Sequence, residues 1–397
     1  MVGFGAALTG SSAYLIFHHP KRDEIMQKLF GPIENGGIGI SFLRITVSLL
    51  SDFMAEPPYT YVNDWDWGIT SFSIEKDRAY FLPILKQALQ LNPQLKIVAA
   101  AWSAPGWMKL ENTLYGSEFN AGNSDLYAWY LARYAQEYQR EGVIIDYMIP
   151  QNEPLNAAND YPTMKLESWA EHDLVKLLKE KFDEVGVSTK IIIYDHNWDN
   201  LDYARWILNS DVYGIVDGTA FHCYGGDYKA PGILAKEYPD KNIYFTECTG
   251  HGPDDQWGPT SLTWNQDQLF IGQPTYGKAR SVLLWNVALD ESHGPHHGGC
   301  SNCRGLLTLT DDDYRRNVDY YAVGHSSAFV KSGYQMVNTS TEGDVIAAAY
   351  SNEREIAVVI HAKFWEGKQP VSLKVNDKQY YFSNVGREAS LTFVIKK

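Results

Sequence analysis

Eight short apolar segments, separated by stretches with helical periodicity, constrain the fold of this chain most strongly. A short apolar run followed by a helix, repeated in this way, is typical of a parallel sheet with helices packed outside it. Eight such units predict the α/β class, as a closed (β/α)8 TIM barrel. The predicted strands are residues 2–8, 39–47, 95–101, 144–153, 190–195, 216–224, 241–247 and 281–289.

The pattern changes after residue 316. Short runs of alternating character at 347–350, 356–361, 371–375 and 390–395, with turn residues between them, predict a small antiparallel β side domain at the C-terminus. We therefore predict a catalytic barrel over residues 1–316 and a β-sandwich-like side domain over residues 317–397. The second region carries no obvious chemical constellation, which indicates a structural role.

Two glutamates end predicted strands. Glu153 closes the fourth strand within Gln151-Asn152-Glu153-Pro154, and Glu247 closes the seventh. Because Pro154 favours extended geometry before it, we expect Glu153 to be the last residue of its strand. Poor hydration there would raise its pKa, which suits a proton donor. An isolated Asn-Glu-Pro is also compatible with a plain loop glutamate, but two strand-end glutamates indicate a carboxylate pair.

Charge and composition narrow the partners. The net charge is −14 without a dense Lys/Arg block, which disfavours nucleic acid and anionic membrane surfaces. The 12 Trp and 26 Tyr favour a carbohydrate groove, although core packing accounts for most of them. No apolar run reaches the roughly 18 residues of a membrane span. The N-terminus lacks signal-peptide features, so we expect that any such peptide was removed or never existed.

The four cysteines fall into two groups. Cys300 and Cys303 lie in a Gly-rich loop and are candidates for a disulfide, which would imply an oxidising, extracellular location. Half of a zinc site is the alternative, with neighbouring histidines as further ligands: His293, His296 and His297. Cys223 and Cys248 lie at strand ends, and we predict buried free thiols there.

Five ordered motifs resemble glycoside hydrolase family 30, whose members are retaining enzymes with a (β/α)8 barrel and a β side domain. The motifs are Gly3–Thr9, Trp102–Lys109, Gln151–Pro154, Thr246-Glu247 and Trp285–Asp290. The resemblance implies that Glu153 is the acid/base and Glu247 the nucleophile. Family members usually have strands before the first barrel strand. Because Met1 falls almost on that strand here, we expect the side domain to be incomplete or trimmed.

The resemblance also implies roles for surrounding residues. Asn152 would bind the sugar 2-hydroxyl, or else stabilise a turn. Arg44 would keep Glu247 ionised, or else form a structural ion pair. Further sugar contacts are implied at several strand ends: Asp52, Trp102 and Trp285 for the non-reducing-side sugar, and His293 and His296 for the leaving side. Tyr224 would donate to Glu247. For His222, a supporting role is as compatible as a substrate contact.

The substrate expected from this resemblance is a β-linked glucan or glucoside. Asn152–Asn156 with Tyr161–Met164 is similar to microbial β-1,6-glucanases of the family. Glucosylceramidases, exo-acting β-glucosidases and β-xylosidases share the core motifs. A neutral sugar is favoured because the loops after the last two strands offer Arg304 alone as an Arg or Lys partner for a carboxylate.

Two rival classes stay open. One is a non-catalytic glycan-binding protein, and the other is a metal-dependent hydrolase using His196, His222 and Asp195. We expect neither cofactor nor metal, and the oligomeric state is open.

Overall fold

Eight parallel strands close into a barrel in sequence order, as the computed structural model describes for residues 1–252, 261–363 and 367–397. The eighth strand pairs with the first, with Gly3 opposite Ser281. The predicted (β/α)8 fold is therefore confirmed. The strands, numbered 1 to 8 below, are Gly3–Leu8, Phe42–Thr46, Lys96–Ala100, Tyr147–Ile149, Lys190–Asn197, Val216–His222, Asn242–Glu247 and Ala279–Leu284.

Helices alternate with these strands and pack outside them. The segment between strands 1 and 2 forms two helices, because Pro20 lies between them and cannot donate a helical hydrogen bond. After strand 7, a turn of α-helix at Leu262–Trp264 continues into two π-helical segments, Asn265–Phe270 and Gln273–Gly277. The other helices around the barrel are Gly10–His18, Arg22–Phe30, Phe81–Leu91, Ser124–Arg140, Ser168–Val185, Leu201–Leu208 and Pro231–Glu237.

Aromatic side chains fill the inside of the barrel. The ring of Tyr147 lies 5.6 Å from that of Phe42 and 5.5 Å from that of Tyr244, measured between centroids. All three belong to one buried cluster that continues toward Trp102 and Trp285 at the strand ends. The barrel is thus a packed core, and open space is left at the C-terminal ends of the strands.

The C-terminal region is antiparallel, as predicted. A helix at Val318–Ser327 first binds the barrel, where the Ser327 hydroxyl donates to the Ile38 carbonyl at 2.6 Å. A four-stranded sheet and a two-stranded sheet then follow: Gln335–Val337, Val345–Ser351, Glu355–Ala362 and Ser390–Lys396 in the first, Lys368–Val375 and Lys378–Gly386 in the second. The division at residue 316 stays a prediction. Within the described residues, no helix combines the length and apolar character needed to cross a bilayer.

Candidate active site

A cavity of about 410 Å³ lies at the C-terminal ends of the barrel strands and contains both predicted carboxyl groups. Glu153 and Glu247 reach it from opposite halves of the barrel. Most of the other predicted site residues also line it, namely Asp52, Trp102, Asn152, Tyr224, Trp285, Cys300 and Cys303. Residues that the sequence analysis did not assign to the site complete the lining: Asn156, Tyr161, His196, Asn197, Thr249, His251 and Gly299.

The two carboxyl groups face each other at short range. A carboxylate oxygen of Glu153, a carboxylate oxygen of Glu247 and a ring nitrogen of His222 all lie within 4.8 Å of one another. In retaining glycosidases the paired carboxyls are about 5–5.5 Å apart, whereas inverting enzymes leave about 6.5–9.5 Å for a water molecule. The two oxygens are closer than the range for inverting enzymes, so the geometry supports retention.

Glu247 ends strand 7 and is held by one donor on strand 2 and another in the loop after strand 6. Arg44 is fully buried on strand 2. One of its guanidinium nitrogens donates a hydrogen bond to Glu247, and the other donates to the Asn152 side-chain oxygen at 2.6 Å. The Tyr224 hydroxyl donates to the second Glu247 oxygen at 2.9 Å, as predicted. Burial raises the pKa of Glu247, and the positive charges of His222 and Arg44 only partly oppose that rise.

Glu153 does not continue its strand, which corrects the sequence-based expectation. Strand 4 ends at Ile149, and Glu153 lies in a turn with φ of 46°, in the left-handed region. Its N–H donates to the Asp195 carbonyl at 3.0 Å, so strand 5 fixes this turn. The tertiary contact therefore overrides the preference for extended geometry before Pro154.

The pKa of Glu153 is lowered in this site, so the expectation of a raised pKa is wrong. Burial raises the pKa of Glu153, but the hydrogen bond and charge of His222 outweigh it and leave the pKa below its ordinary value. The His222 ring nitrogen Nδ1 lies 3.0 Å from Glu153. Burial lowers the pKa of His222, yet Glu247 and Asp195 raise it to about 10. In the free site the proton therefore resides on His222, one hydrogen bond away from Glu153.

Asp195 organises these charges, a role that the sequence analysis missed. It is fully buried at the end of strand 5 and accepts from Arg44 at 2.6 Å and from His222 Nε2 at 3.2 Å. Burial raises its pKa, but the charges of Arg44 and His222 outweigh this and lower it well below the ordinary value. The sequence signal for this role is that Asp195 lies at a predicted strand end. The sequence analysis names Asp195 only as a possible metal ligand.

Two tryptophans form one wall of the cavity. The rings of Trp102 and Trp285 are stacked with centroids 5.2 Å apart and an interplanar angle of 20°. The Arg44 guanidinium lies 4.6 Å from the Trp102 ring centroid, close enough for a cation–π contact. Both side chains are almost entirely buried, so they pack the barrel end and present only part of each ring to the cavity.

Asp52 lies in the loop after strand 2, against the segment that contains Cys300 and Cys303. The Cys300 N–H donates to its carboxyl at 3.4 Å. A Cβ atom at Gly299 would lie 2.4 Å from the Asp52 Cβ, so glycine is required for this approach. Burial, followed by the charge of Glu247, raises the pKa of Asp52 to about 8. Asp52 is therefore neutral at pH 7 and donates as well as accepts hydrogen bonds.

Both cysteine pairs form disulfides. The Cys300–Cys303 bond is confirmed, and a thiolate zinc site at these sulfurs is excluded because the sulfurs are bonded to each other. The prediction of free thiols at Cys223 and Cys248 is wrong, since these two are bonded as well. The reason is register: His222 pairs with Glu247 across strands 6 and 7, so the following residues are neighbours.

The two histidines expected at the leaving side do not reach the cavity. His293 Nδ1 bonds the Cys303 carbonyl at 3.0 Å, and His296 Nδ1 bonds the Gly298 carbonyl at 3.2 Å. Their visible role is to support the disulfide loop. Within the described residues, His196 and His251 line the cavity instead.

Glu153, His222 and Glu247 are also close enough to share a cation. Coordination requires a neutral histidine, and the raised pKa of His222 opposes that. The arrangement is better suited to moving a proton between the two carboxyl groups than to holding a metal.

A closed (β/α)8 barrel with two facing carboxyl groups at its C-terminal end defines a glycoside hydrolase of the retaining class. The chain belongs to glycosyl hydrolase family 30: the model of the family's TIM-barrel domain matches residues 1–330.

Curated relatives and solved structures agree with this family. The chain is 30% identical to endo-1,6-β-D-glucanase BGN16.3 of Trichoderma harzianum, covering 100% of this chain and 84% of the relative. It is 26% identical to putative glucosylceramidase 2 of Caenorhabditis elegans, covering 94% of this chain and 76% of the relative. The structure of the endo-β1,6-glucanase BT3312 superposes with a TM-score of 0.90 at 28% identity, covering 99% of this chain and 90% of the other.

Proposed function

We propose that this enzyme hydrolyses β-1,6-linked glucan by double displacement, with Glu247 as nucleophile and Glu153 as acid/base. The observation that carries the proposal is the carboxyl pair within 4.8 Å in a cavity lined by aromatic and uncharged polar groups. The likeness to endo-1,6-β-glucanases over the whole chain supports the linkage.

The first step forms a glycosyl–enzyme ester. A Glu247 oxygen attacks the anomeric carbon while the bond to the leaving oxygen breaks, and that oxygen receives a proton from Glu153. The proton reaches Glu153 from His222 along their 3.0 Å hydrogen bond. Arg44 and Tyr224 each donate to a different oxygen of the Glu247 carboxylate, which positions it and stabilises its charge.

The second step releases the sugar. Glu153, now ionised, takes a proton from water as the water oxygen attacks the anomeric carbon, and the ester bond to Glu247 breaks. Asn156 donates to Glu153 at 2.9 Å and so stabilises the ionised form that acts as base. The anomeric configuration is retained because two inversions occur.

A neutral sugar fits the charges around the cavity. Among the described residues, neither lysine nor arginine lines it. The sequence of residues 253–260 contains no basic residue either. Arg304 pairs with Asp319 and donates to the His251 carbonyl, so its charge is engaged elsewhere. A uronic acid would therefore meet the carboxylates of Glu153 and Glu247, with neither lysine nor arginine in the described lining to pair with its own charge.

Glucosylceramide is the second candidate substrate, because putative glucosylceramidases match most of the chain at 25–26% identity. We further propose that the enzyme works outside the cell, since it carries two disulfides, which persist in oxidising compartments.

Initial rates on β-1,6-glucan, β-1,3-glucan, glucuronoxylan, an aryl β-glucoside and glucosylceramide test the substrate. We expect β-1,6-glucan to be preferred among the polymers. Preference for glucuronoxylan would contradict the argument for a neutral sugar, and activity on glucosylceramide alone would select the second candidate. Full activity in EDTA is expected, and its loss would support a metal-dependent mechanism.

Two substitutions test the roles. Glu247→Gln removes the nucleophile and should abolish turnover of every substrate. Glu153→Gln should retain much of the first step when the leaving group is an activated phenol, which needs no proton. Equal losses on activated and unactivated glucosides would contradict the acid role of Glu153.

A further inference from the structure

The loop after strand 2 exposes two large aromatic side chains to solvent. Trp65 is 54% exposed and Trp67 is 60% exposed. Both lie against the buried ring of Trp107 from the loop after strand 3, with centroids 6.0 Å and 5.2 Å away. We call these three rings the aromatic platform.

The loop under the platform is held rigid by one carboxylate. Asp66 accepts from the N–H and hydroxyl of Ser71, both at 2.7 Å, and from the Thr70 hydroxyl at 3.1 Å. Trp65 itself has φ of 64°, a left-handed conformation that a bulky residue adopts at a cost. These three hydrogen bonds to Asp66 thus hold this loop, including the strained backbone of Trp65, in a conformation that presents two exposed rings.

The platform and the catalytic cavity are built on the same two loops. The loop that carries Trp65 also contributes Asp52 to the cavity, and the loop that carries Trp107 contributes Trp102. Lys109, two residues beyond Trp107, is buried and donates to Ser103 at 2.9 Å and to the Thr163 carbonyl at 2.8 Å. It therefore ties the loop after strand 3 to the loop after strand 4, on which Glu153 lies.

The surroundings of the platform favour a neutral ligand. In residues 60–70 and 105–112, the acidic residues are Asp64, Asp66 and Glu111, and the one basic residue, Lys109, is buried. A surface that binds anionic lipid needs exposed cations, which these segments lack. Flat rings with acidic groups beside them suit a sugar, whose C–H faces stack on the rings while its hydroxyls donate to carboxylates.

We propose that the aromatic platform binds a glucan chain outside the catalytic cavity, so that the enzyme engages several sugar units of a polymer at once. This inference rests on the proposed function, because it takes the polymer substrate from there. It adds a binding surface, formed by Trp65 and Trp67, that short substrates do not reach.

The test compares polymer and short substrate in matched variants. Trp65→Ala and Trp67→Ala, alone and combined, are assayed on β-1,6-glucan and on an aryl β-glucoside. Trp206→Ala is the control, since Trp206 is 49% exposed but lies on the outer helix Leu201–Leu208. Each platform change should lower kcat/KM on the polymer about tenfold, the ratio expected when a sugar covers on the order of 60 Å² of ring surface. The effect should appear mainly in KM, and rates on the aryl glucoside should stay within about twofold.

Binding is measured separately with the inert Glu247→Gln enzyme. It should bind immobilised β-1,6-glucan, and the added double change Trp65→Ala/Trp67→Ala should weaken that binding about tenfold or more. Vesicles of phosphatidylcholine with phosphatidylserine are the second probe, and tryptophan-dependent binding to them instead of glucan would overturn the proposal. Equal polymer kinetics in wild type and the double variant would also overturn it. If wild type cleaves a different β-glucan, the proposed function fails, and the same comparison on that polymer still decides the role of the platform.

Discussion

The hydroxyl of Tyr224 gives the sharpest test of how the site keeps its nucleophile ionised. Tyr224→Phe removes one oxygen atom and leaves the ring in place, so the fold is barely disturbed. Burial and the charges of Glu247 and Glu153 raise the pKa of Tyr224 far above its ordinary value. The hydroxyl therefore remains a donor to Glu247 at every working pH, over 2.9 Å.

The size of the effect follows from the charge on the acceptor. A hydrogen bond to an ionised group contributes about 1.5–3 kcal/mol. The hydroxyl of Tyr224 is buried against Glu247, but 43% of the residue as a whole is exposed, so solvent partly screens the contact and the lower value of about 1.5 kcal/mol applies. Losing a donor to the charged form raises the pKa of Glu247, by about one unit at 1.36 kcal/mol per unit. The nucleophile must be ionised, so the acidic limb of kcat/KM should move up by about one pH unit.

The assay is the pH profile of kcat/KM on an aryl β-glucoside. Below the acidic limb, Tyr224→Phe should be about tenfold slower than wild type, and the ratio should shrink on the plateau. Tyr161→Phe is the matched control: Tyr161 lines the same cavity, but its hydroxyl accepts from Asn156 rather than bonding Glu247. An acidic limb that stays in place in Tyr224→Phe, or moves to lower pH, would refute this account of the site.

Two further predictions concern the disulfides and Asp52. The Cys223–Cys248 bond spans 25 positions and the Cys300–Cys303 bond spans 3, so by loop entropy their removal should cost about 3–4 and about 2 kcal/mol of unfolding free energy. Denaturant unfolding of the two double Cys→Ser variants measures this, and a larger loss from the shorter loop would be inconsistent with it. Asp52 has its pKa raised to about 8, so it ionises beside Glu247 above that pH and KM for a glucoside should rise there. Asp52→Asn should remove this rise, and an unchanged alkaline rise would show that another group causes it.

The barrel was predictable because each strand is a short apolar run with its own boundaries, and a closed parallel sheet leaves these runs one arrangement. Glu153 and Glu247 were found for the same reason, because one follows a short apolar strand closely and the other ends one. The disulfide between Cys223 and Cys248 was within reach too. Each cysteine follows directly after the last residue of its strand, and the two strands are neighbours in the barrel. The pairing becomes visible only when the two positions are considered together.

What escaped the sequence analysis depends on contacts across the barrel. The turned backbone at Glu153 arises from a hydrogen bond to Asp195, 42 positions later. The lowered pKa of Glu153 arises from His222, which belongs to a different strand. Pro154 and the nearby strand end predict an extended Glu153 with a raised pKa. Contacts made by the fold outweigh these local signals, among them the 3.0 Å hydrogen bond between Glu153 and His222.

The left-handed turn at Glu153 has a consequence for how such a protein would evolve. A non-glycine residue at a φ of 46° typically costs the native state on the order of 1–3 kcal/mol. Glycine or asparagine at this position would relieve that strain, so selection on folding alone would favour losing the carboxylate. A lineage that kept the barrel only to hold glycans would drift in that direction first. At Glu153, fold stability and the proposed acid/base role therefore place opposite demands on the same residue.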